Sequence, residues 1–118
     1  MADLINRGDI WVFDRPGGHG LVLTGEQLSV VIQTNAANHR DPYKAVIIIP
    51  LSSKGFDGGP PHAKVEPTEL NGLKHTAYVR TEQIFTVMKT TLRKKVGRLS
   101  GEDLERVDEA LKATLALY

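Results

Sequence analysis

The aliphatic run at 44–51 (KAVIIIPL) constrains the fold of this chain more than any other segment. A second β-branched run lies at 28–33 (LSVVIQ), and neither run alternates polar with apolar residues. Because strands with one solvent-facing side do alternate, both runs predict strands that are buried on both faces. The purely aliphatic part, 45–49, is far shorter than the roughly 20 residues that cross a bilayer, so no membrane span is expected.

Shorter β-prone runs extend the predicted sheet, and loops rich in Gly, Pro or Asn separate them. The further strands are expected at 9–14, 62–65, 76–80 and 83–87, and the loops, the last two of them exposed, at 15–20, 35–42 and 52–61.

The C-terminal part predicts an amphipathic helix. Ser100 and Asp103 have the spacing of a capping box, and apolar residues follow at spacings of three and four. These are Leu104, Val107, Leu111 and Leu115. A shorter helical turn is predicted at 89–95. A run of strands followed by a helix indicates a mainly β fold, a small β-barrel or half-barrel with a C-terminal α-helix.

Length and composition exclude several classes of protein. A chain of 118 residues suits a single domain, expected over 1–118, and the absence of cysteine excludes a disulfide scaffold and thiolate zinc sites. The N-terminus lacks the continuous apolar stretch of a signal peptide, which predicts a cytoplasmic protein. The net charge of +1 means that any surface for a polyanion must be local.

One such local surface is a cluster of five cations with no acid among them, and it has two interpretations. It could bind phosphates, or it could be the solvated face of a helix. Its members are Lys89, Arg93, Lys94, Lys95 and Arg98.

Polar residues in loops and at strand ends are the candidates for chemistry. Histidine exchanges protons near neutral pH, but the four histidines lack the spacing of metal ligands, so no metal or other cofactor is expected. Each histidine could equally be an ordinary surface residue; they are His19, His39, His62 and His75. Ser52 and Ser53 follow the strand at 44–51, where a hydroxyl could contact a phosphate or simply begin a turn.

Several short segments occur in the order and spacing typical of one family. They are RGDIW at 7–11, VVIQ at 30–33 with Asn35, PLSS at 50–53, GLK at 72–74, EQI at 82–84, VGRLS at 96–100 and VDEAL at 107–111. By these segments the chain resembles the MazF/PemK toxins, and the resemblance covers nearly all of it. It implies a β-barrel of the MazF/PemK/CcdB type that forms a homodimer, and a cytoplasmic toxin that a cognate antitoxin inhibits.

The activity that the resemblance implies is cleavage of single-stranded RNA, often mRNA, without a metal ion. The ribose 2′-hydroxyl attacks the adjacent phosphorus, and the products carry a 2′,3′-cyclic phosphate and a 5′-hydroxyl. Such chemistry needs proton transfer and a group that stabilises the growing phosphoryl charge. In the family an Arg and a Thr or Ser supply these functions.

Carried over position by position, the family hydroxyl becomes Ser52, whereas the family Arg becomes Gln27 and a second Arg becomes Phe85. An amide cannot neutralise charge, so a loop residue is expected to compensate, with Arg15 and His19 as the first candidates and Arg40 as a third. The expected RNA contacts are Ser53, Lys54 and Arg80. The alternative hypothesis is a catalytically degenerate relative that acts by binding RNA, an antitoxin or a protein target.

Overall fold

Seven β-strands and a long C-terminal helix make up the fold within the described residues of the computed structural model, 4–14 and 27–117. The strands are β1 (Asp9–Phe13), β2 (Leu28–Val31), β3 (Ala45–Ser52), β4 (His62–Val65), β5 (Ala77–Arg80), β6 (Phe85–Met88) and β7 (Leu92–Arg98). The helices are α1 (Asn35–Asn38), a 3₁₀ turn at Lys89–Thr91, and α2 (Gly101–Leu115). The predicted mainly β fold with a C-terminal helix is confirmed.

All strand pairs are antiparallel, and β3 is the central strand, which pairs with β2, β5 and β6. The order along the sheet is β4-β5-β3-β2-β1-β7, and β6 also pairs with β3. β5 and β6 share one edge of β3, because Ala45–Ile48 pair with β6 whereas Leu51 and Ser52 pair with β5. The carboxyl end of β3 therefore lies beside β5 and not beside β6.

Both faces of β3 are buried, as its unbroken aliphatic run predicts. Ile49 belongs to a core that includes Val30 of β2 and Val107 of α2, whereas its neighbour Ile48 belongs to a second core with Trp11 and Val31. Successive side chains of a strand point to opposite faces, so a strand that contacts two cores needs apolar residues without alternation.

The helix α2 begins as predicted, because the Ser100 hydroxyl oxygen accepts a hydrogen bond from the Asp103 N–H at 3.1 Å. Arg7 ties this helix to the start of β1. Its guanidinium donates to both carboxylate oxygens of Asp108, at 2.6 and 3.3 Å, and to the Ile32 carbonyl at 2.8 Å. These bonds hold α2 against the sheet.

The prediction of a helical turn at 89–95 is wrong beyond Thr91. Leu92–Arg98 instead form β7, which pairs along the whole of β1. The outer edge of β1 has main-chain groups that need partners, and a seventh strand satisfies them. The cationic cluster therefore lies largely on a strand and not on a helix face.

The predicted loop at 35–42 is only partly exposed. Asn35–Asn38 form the short helix α1, and Asn38 is buried. The Asn38 amide donates to the Gln33 carbonyl at 2.8 Å and accepts from the Gln33 side chain at 3.0 Å. The expectation of full exposure is wrong here because this amide satisfies polar groups at the end of β2.

Candidate active site

A cleft of about 550 Å³ lies at the carboxyl end of β3. Its wall is formed by the starts of β2 and β5, the middle of β7 and the segment between the Asn71–Gly72 turn and β5. The lining residues are Gln27, Leu28, Leu51, Ser52, Ser53, Gly72, Leu73, Lys74, His75, Thr76, Ala77, Lys94, Lys95 and Val96. Leucines and valine give the cleft an apolar component, and polar side chains from four parts of the chain converge on it.

Ser52 and Gln27, two of the three positions carried over from the family resemblance, line this same cleft, and the third, Phe85, does not. The Ser52 Oγ accepts a hydrogen bond from the Lys54 N–H at 3.1 Å. Among the described residues no acceptor is recorded for the Ser52 hydroxyl hydrogen, nor any partner for the Gln27 amide. Both groups can therefore donate a hydrogen bond to an anion in the cleft.

Three lysines give the cleft a positive charge, and no carboxylate is among its lining residues within 4–14 and 27–117. Lys94 and Lys95 come from β7, and Lys74 comes from the segment between Gly72 and β5. The Lys95 ammonium lies 3.4 Å from Oδ1 of the buried Asp9, whereas Lys94 is exposed and makes no ion pair with a described residue. The arrangement suits a ligand with several negative charges.

The other three members of the cationic cluster do not line the cleft. Arg93 pairs with Asp14 at 3.0 Å, and Lys89 donates to the carbonyls of Ala37 and Arg40. Arg98 is exposed and is absent from the cleft lining. The phosphate-binding interpretation of the cluster therefore reduces to Lys94 and Lys95.

The wall that carries Lys74 and His75 is fixed by the turn before it. The buried Asn71 side chain accepts hydrogen bonds from the Thr68 and Leu73 N–H groups, at 3.0 and 2.9 Å, and donates to the Glu66 carbonyl at 2.9 Å. Gly72 adopts a left-handed conformation, with φ of 68°. The sequence analysis did not predict Lys74 or His75 as site residues. Their position between this turn and a predicted strand was the one local feature that could have pointed to them.

Of the other predicted residues that the structure describes, Ser53 lines the cleft, whereas Lys54, Arg80 and Arg40 do not. Lys54 is exposed and its N–H donates to the Ser52 Oγ, and Arg80 pairs across from His62 at the carboxyl end of β5, with its Nε 3.8 Å from Glu82. Arg40 lies beyond α1, where its carbonyl accepts from Lys89. Arg15 and His19 fall outside the described residues. The roles assigned to Arg80 and Lys54 stay predictions.

A histidine and a glutamate hold the loop that follows Ser53. The Phe56 N–H donates to His62 Nδ1 at 2.8 Å, so the other ring nitrogen carries the proton and donates to Glu82 at 2.8 Å. The hydrogen bond from His62 lowers the pKa of Glu82 below its ordinary value of 4.5. Both nitrogens of His62 are therefore engaged, and this histidine is a structural one.

Because the pKa of Glu82 is lower in the folded than in the unfolded chain, its ionised form stabilises the fold above its ordinary pKa. That contribution is lost as pH falls through the folded-state value. We expect Glu82→Gln to lower the melting temperature at neutral pH and the difference from the parent to disappear on acidification. Thermal unfolding across this pH range, with the exposed Glu69→Gln as control, measures the effect. A pH-independent difference would contradict the electrostatic origin.

Within 4–14 and 27–117, no group of three or more His, Asp or Glu side chains is arranged to hold a metal ion. In the same ranges no helix has the length and hydropathy needed to cross a membrane.

The topology and the cleft define the class of the chain as a small, mainly β protein with a cationic cleft at the end of its central strand. Comparison with known proteins gives its family. Residues 6–115 match the PemK-like, MazF-like toxins of type II toxin-antitoxin systems. The chain belongs to this family, and the resemblance seen in the sequence is confirmed.

Individual relatives agree with this assignment over nearly their whole length. The probable endoribonuclease MazF of Mycolicibacterium smegmatis is 27% identical over 113 residues, which cover 96% of this chain and 98% of the relative. Endoribonuclease EndoA of Bacillus subtilis is 29% identical over 114 residues, which cover 97% of each.

Solved structures show the same fold. A mycobacterial endoribonuclease in complex with its cognate antitoxin superposes with a TM-score of 0.78 at 22% identity, over 97% of each chain. MazF (Form-I) from Deinococcus radiodurans superposes with a TM-score of 0.73 at 15% identity, over 98% of this chain and 100% of that one. The predicted MazF-like fold is confirmed.

Proposed function

We propose that this chain is the toxin of a type II toxin-antitoxin system and a metal-independent endoribonuclease that cleaves single-stranded RNA in the cytoplasm. One observation carries the location of the site: Ser52 and Gln27, distant in sequence, line one cleft with Lys94 and Lys95. The names of the full-length relatives, MazF and EndoA endoribonucleases, support the reaction.

The side chains that line the cleft have different roles in phosphate binding. The Ser52 hydroxyl and the Gln27 amide donate to non-bridging oxygens of the scissile phosphate, and Lys94 and Lys95 neutralise the charge that grows there. The 2′-oxygen attacks phosphorus as the bond to O5′ breaks, which leaves a 2′,3′-cyclic phosphate and a 5′-hydroxyl. Leu28, Leu51 and Leu73 add apolar surface against which an unstacked base can pack.

Membership of the family implies two partners for this chain, an antitoxin and a second copy of itself. A cognate antitoxin is the expected inhibitor, and the mycobacterial endoribonuclease solved with its own antitoxin supports this expectation. A flexible antitoxin segment that folds on binding is suited to cover a large cationic surface. A homodimer is the expected assembly, and a single toxin domain over 1–118 is part of the same proposal.

A second candidate function is binding without cleavage, and the identity of residue 27 favours it. Gln27 lines the cleft at the position of the family arginine, where it can donate a hydrogen bond but cannot neutralise charge or transfer a proton. Such a protein would bind RNA, an antitoxin or a protein target. If the chain cleaves RNA, Arg15 and His19 are the residues proposed to compensate for the arginine that Gln27 replaces.

The two functions are distinguished by incubating the purified chain with a long mixed-sequence single-stranded RNA in the presence of EDTA. We expect discrete cleavage and new 5′-hydroxyl ends at a short recurring motif, because neither nucleophile nor catalyst depends on a metal. An Arg15→Ala variant assayed beside it tests whether that residue supplies the missing cation. A folded, dimeric chain that binds this RNA without cutting it would establish the binding function instead.

A further inference from the structure

We propose that His75 is the general base of the reaction, the group that removes the proton from the attacking 2′-hydroxyl. This proposal rests on the proposed ribonuclease function and assigns a step that Ser52, Gln27 and the lysines leave open.

The chemical character of the lining residues carries the proposal. Three of the lining residues are lysines, whose ammonium group is a donor with no acceptor, and an amide or an aliphatic hydroxyl is not a base. Among the described residues that line the cleft, His75 alone has a side chain that can accept a proton near neutrality.

His75 is also free to act, unlike the other described histidines. Within 4–14 and 27–117, neither of its ring nitrogens has a hydrogen-bond partner, and the residue is exposed and lines the cleft. Both nitrogens of His62 are engaged, by Phe56 and Glu82, and His39 is bonded to Asn6 at 2.9 Å outside the cleft. A ring nitrogen of His75 is therefore available to accept a hydrogen bond from the 2′-hydroxyl.

The charged residues that line the cleft with His75 come from β7 and from the segment before β5. Lys74 precedes it, Lys94 and Lys95 line the cleft from β7 with the Lys95 ammonium 3.4 Å from Oδ1 of Asp9, and Glu66 accepts a hydrogen bond from the Thr76 hydroxyl. The cations bind the phosphate beside the imidazole. No described carboxylate of the lining competes for the proton.

The step balances without a co-reactant. The O–H bond of the 2′-hydroxyl breaks and its proton passes to a ring nitrogen of His75, while the 2′-oxygen forms a bond to phosphorus. The bond between phosphorus and O5′ breaks, O5′ leaves with the electron pair, and it takes a proton from solvent. The imidazolium then returns its proton to solvent, so the residue is regenerated.

The test is His75→Gln, which keeps a polar side chain of similar size and removes the basic nitrogen. We expect cleavage to fall by roughly a hundredfold or more, the range of general acid–base contributions. Binding of a 2′-O-methyl RNA, which cannot be cleaved, is expected to change by less than about twofold. The control is His39→Gln, an exposed histidine outside the cleft, with cleavage expected at the parental rate.

The pH profile separates a base from a structural residue. Parental cleavage is expected to fall on acidification as a histidine becomes protonated, and the residual cleavage of His75→Gln is expected to lack that limb. Unchanged cleavage in this variant, a parental pH profile, or a loss of RNA binding equal to the loss of cleavage would each overturn the assignment. If the parent itself does not cleave, the proposed ribonuclease function fails first. Loss of cleavage in His19→Gln but not in His75→Gln overturns only the present inference.

Discussion

We expect Ser52→Ala to cleave single-stranded RNA roughly a hundredfold more slowly than the parent, the cost of removing one donor to a developing oxyanion. The Ser52 hydroxyl lies at the end of β3 inside the cationic cleft, and no described residue accepts its hydrogen. Its bond to a phosphate oxygen strengthens as negative charge grows in the transition state. The loss is therefore expected in kcat, with RNA affinity little changed.

Two companion variants make this result specific. Ser52→Thr restores a hydroxyl at the same backbone position and is expected to retain most of the activity. Thr86→Ala removes an exposed hydroxyl from β6, outside the cleft, and controls for loss of a strand hydroxyl in general. Because Ser52 also accepts the Lys54 N–H, melting temperatures are compared for all four proteins. Cleavage by a folded Ser52→Ala variant at the parental rate would remove this residue from the mechanism.

The largest expected effect on stability comes from Gly97→Ala. Gly97 lies on β7 where the turn at 68–72 packs against the strand, and Arg98 donates to the Leu70 carbonyl at 3.1 Å. A Cβ at Gly97 would lie 2.5 Å from the Leu70 carbonyl oxygen and 2.5 Å from the Asn71 carbonyl carbon. These are backbone atoms, so the strand and the turn must separate. We expect a loss of about 2–3 kcal/mol in the free energy of unfolding.

The matched control for this substitution is Gly101→Ala. Gly101 begins α2, and a Cβ there would have no atom within 4 Å. Alanine is a better helix former than glycine, so this variant is expected to be as stable as the parent or slightly more stable. Denaturant unfolding of both variants measures the difference. A Gly97→Ala variant as stable as Gly101→Ala would mean that the turn is not held against β7.

The Gly97→Ala substitution is also expected to change the geometry of the candidate active site. The turn at 68–72 leads directly into Lys74 and His75, so its displacement is expected to move both side chains relative to Lys94 and Lys95. Reduced RNA cleavage in the fraction that remains folded would be the functional sign of that displacement.

The elements whose signals are local could be predicted from the amino-acid sequence. The aliphatic run through Ile48 and Ile49 predicted a strand buried on both faces, because a strand's side-chain alternation is visible within a few residues. The Ser100–Asp103 spacing likewise located the start of α2. The ordered segments of the family resemblance predicted the fold as a whole, and through it Ser52 as a site residue.

Which residues come together at the cleft depends on long-range strand pairing, and only the three-dimensional structure shows it. Residues 92–95 have the composition of a solvated helical turn, yet they join β7 because the open edge of β1 requires hydrogen-bond partners that no local pattern records. That pairing brings Lys94 and Lys95 to the cleft that Gln27, Ser52 and His75 also line. A cleft of this kind is assembled by strand pairing between segments far apart in the chain, so its chemistry cannot be predicted from any one of them.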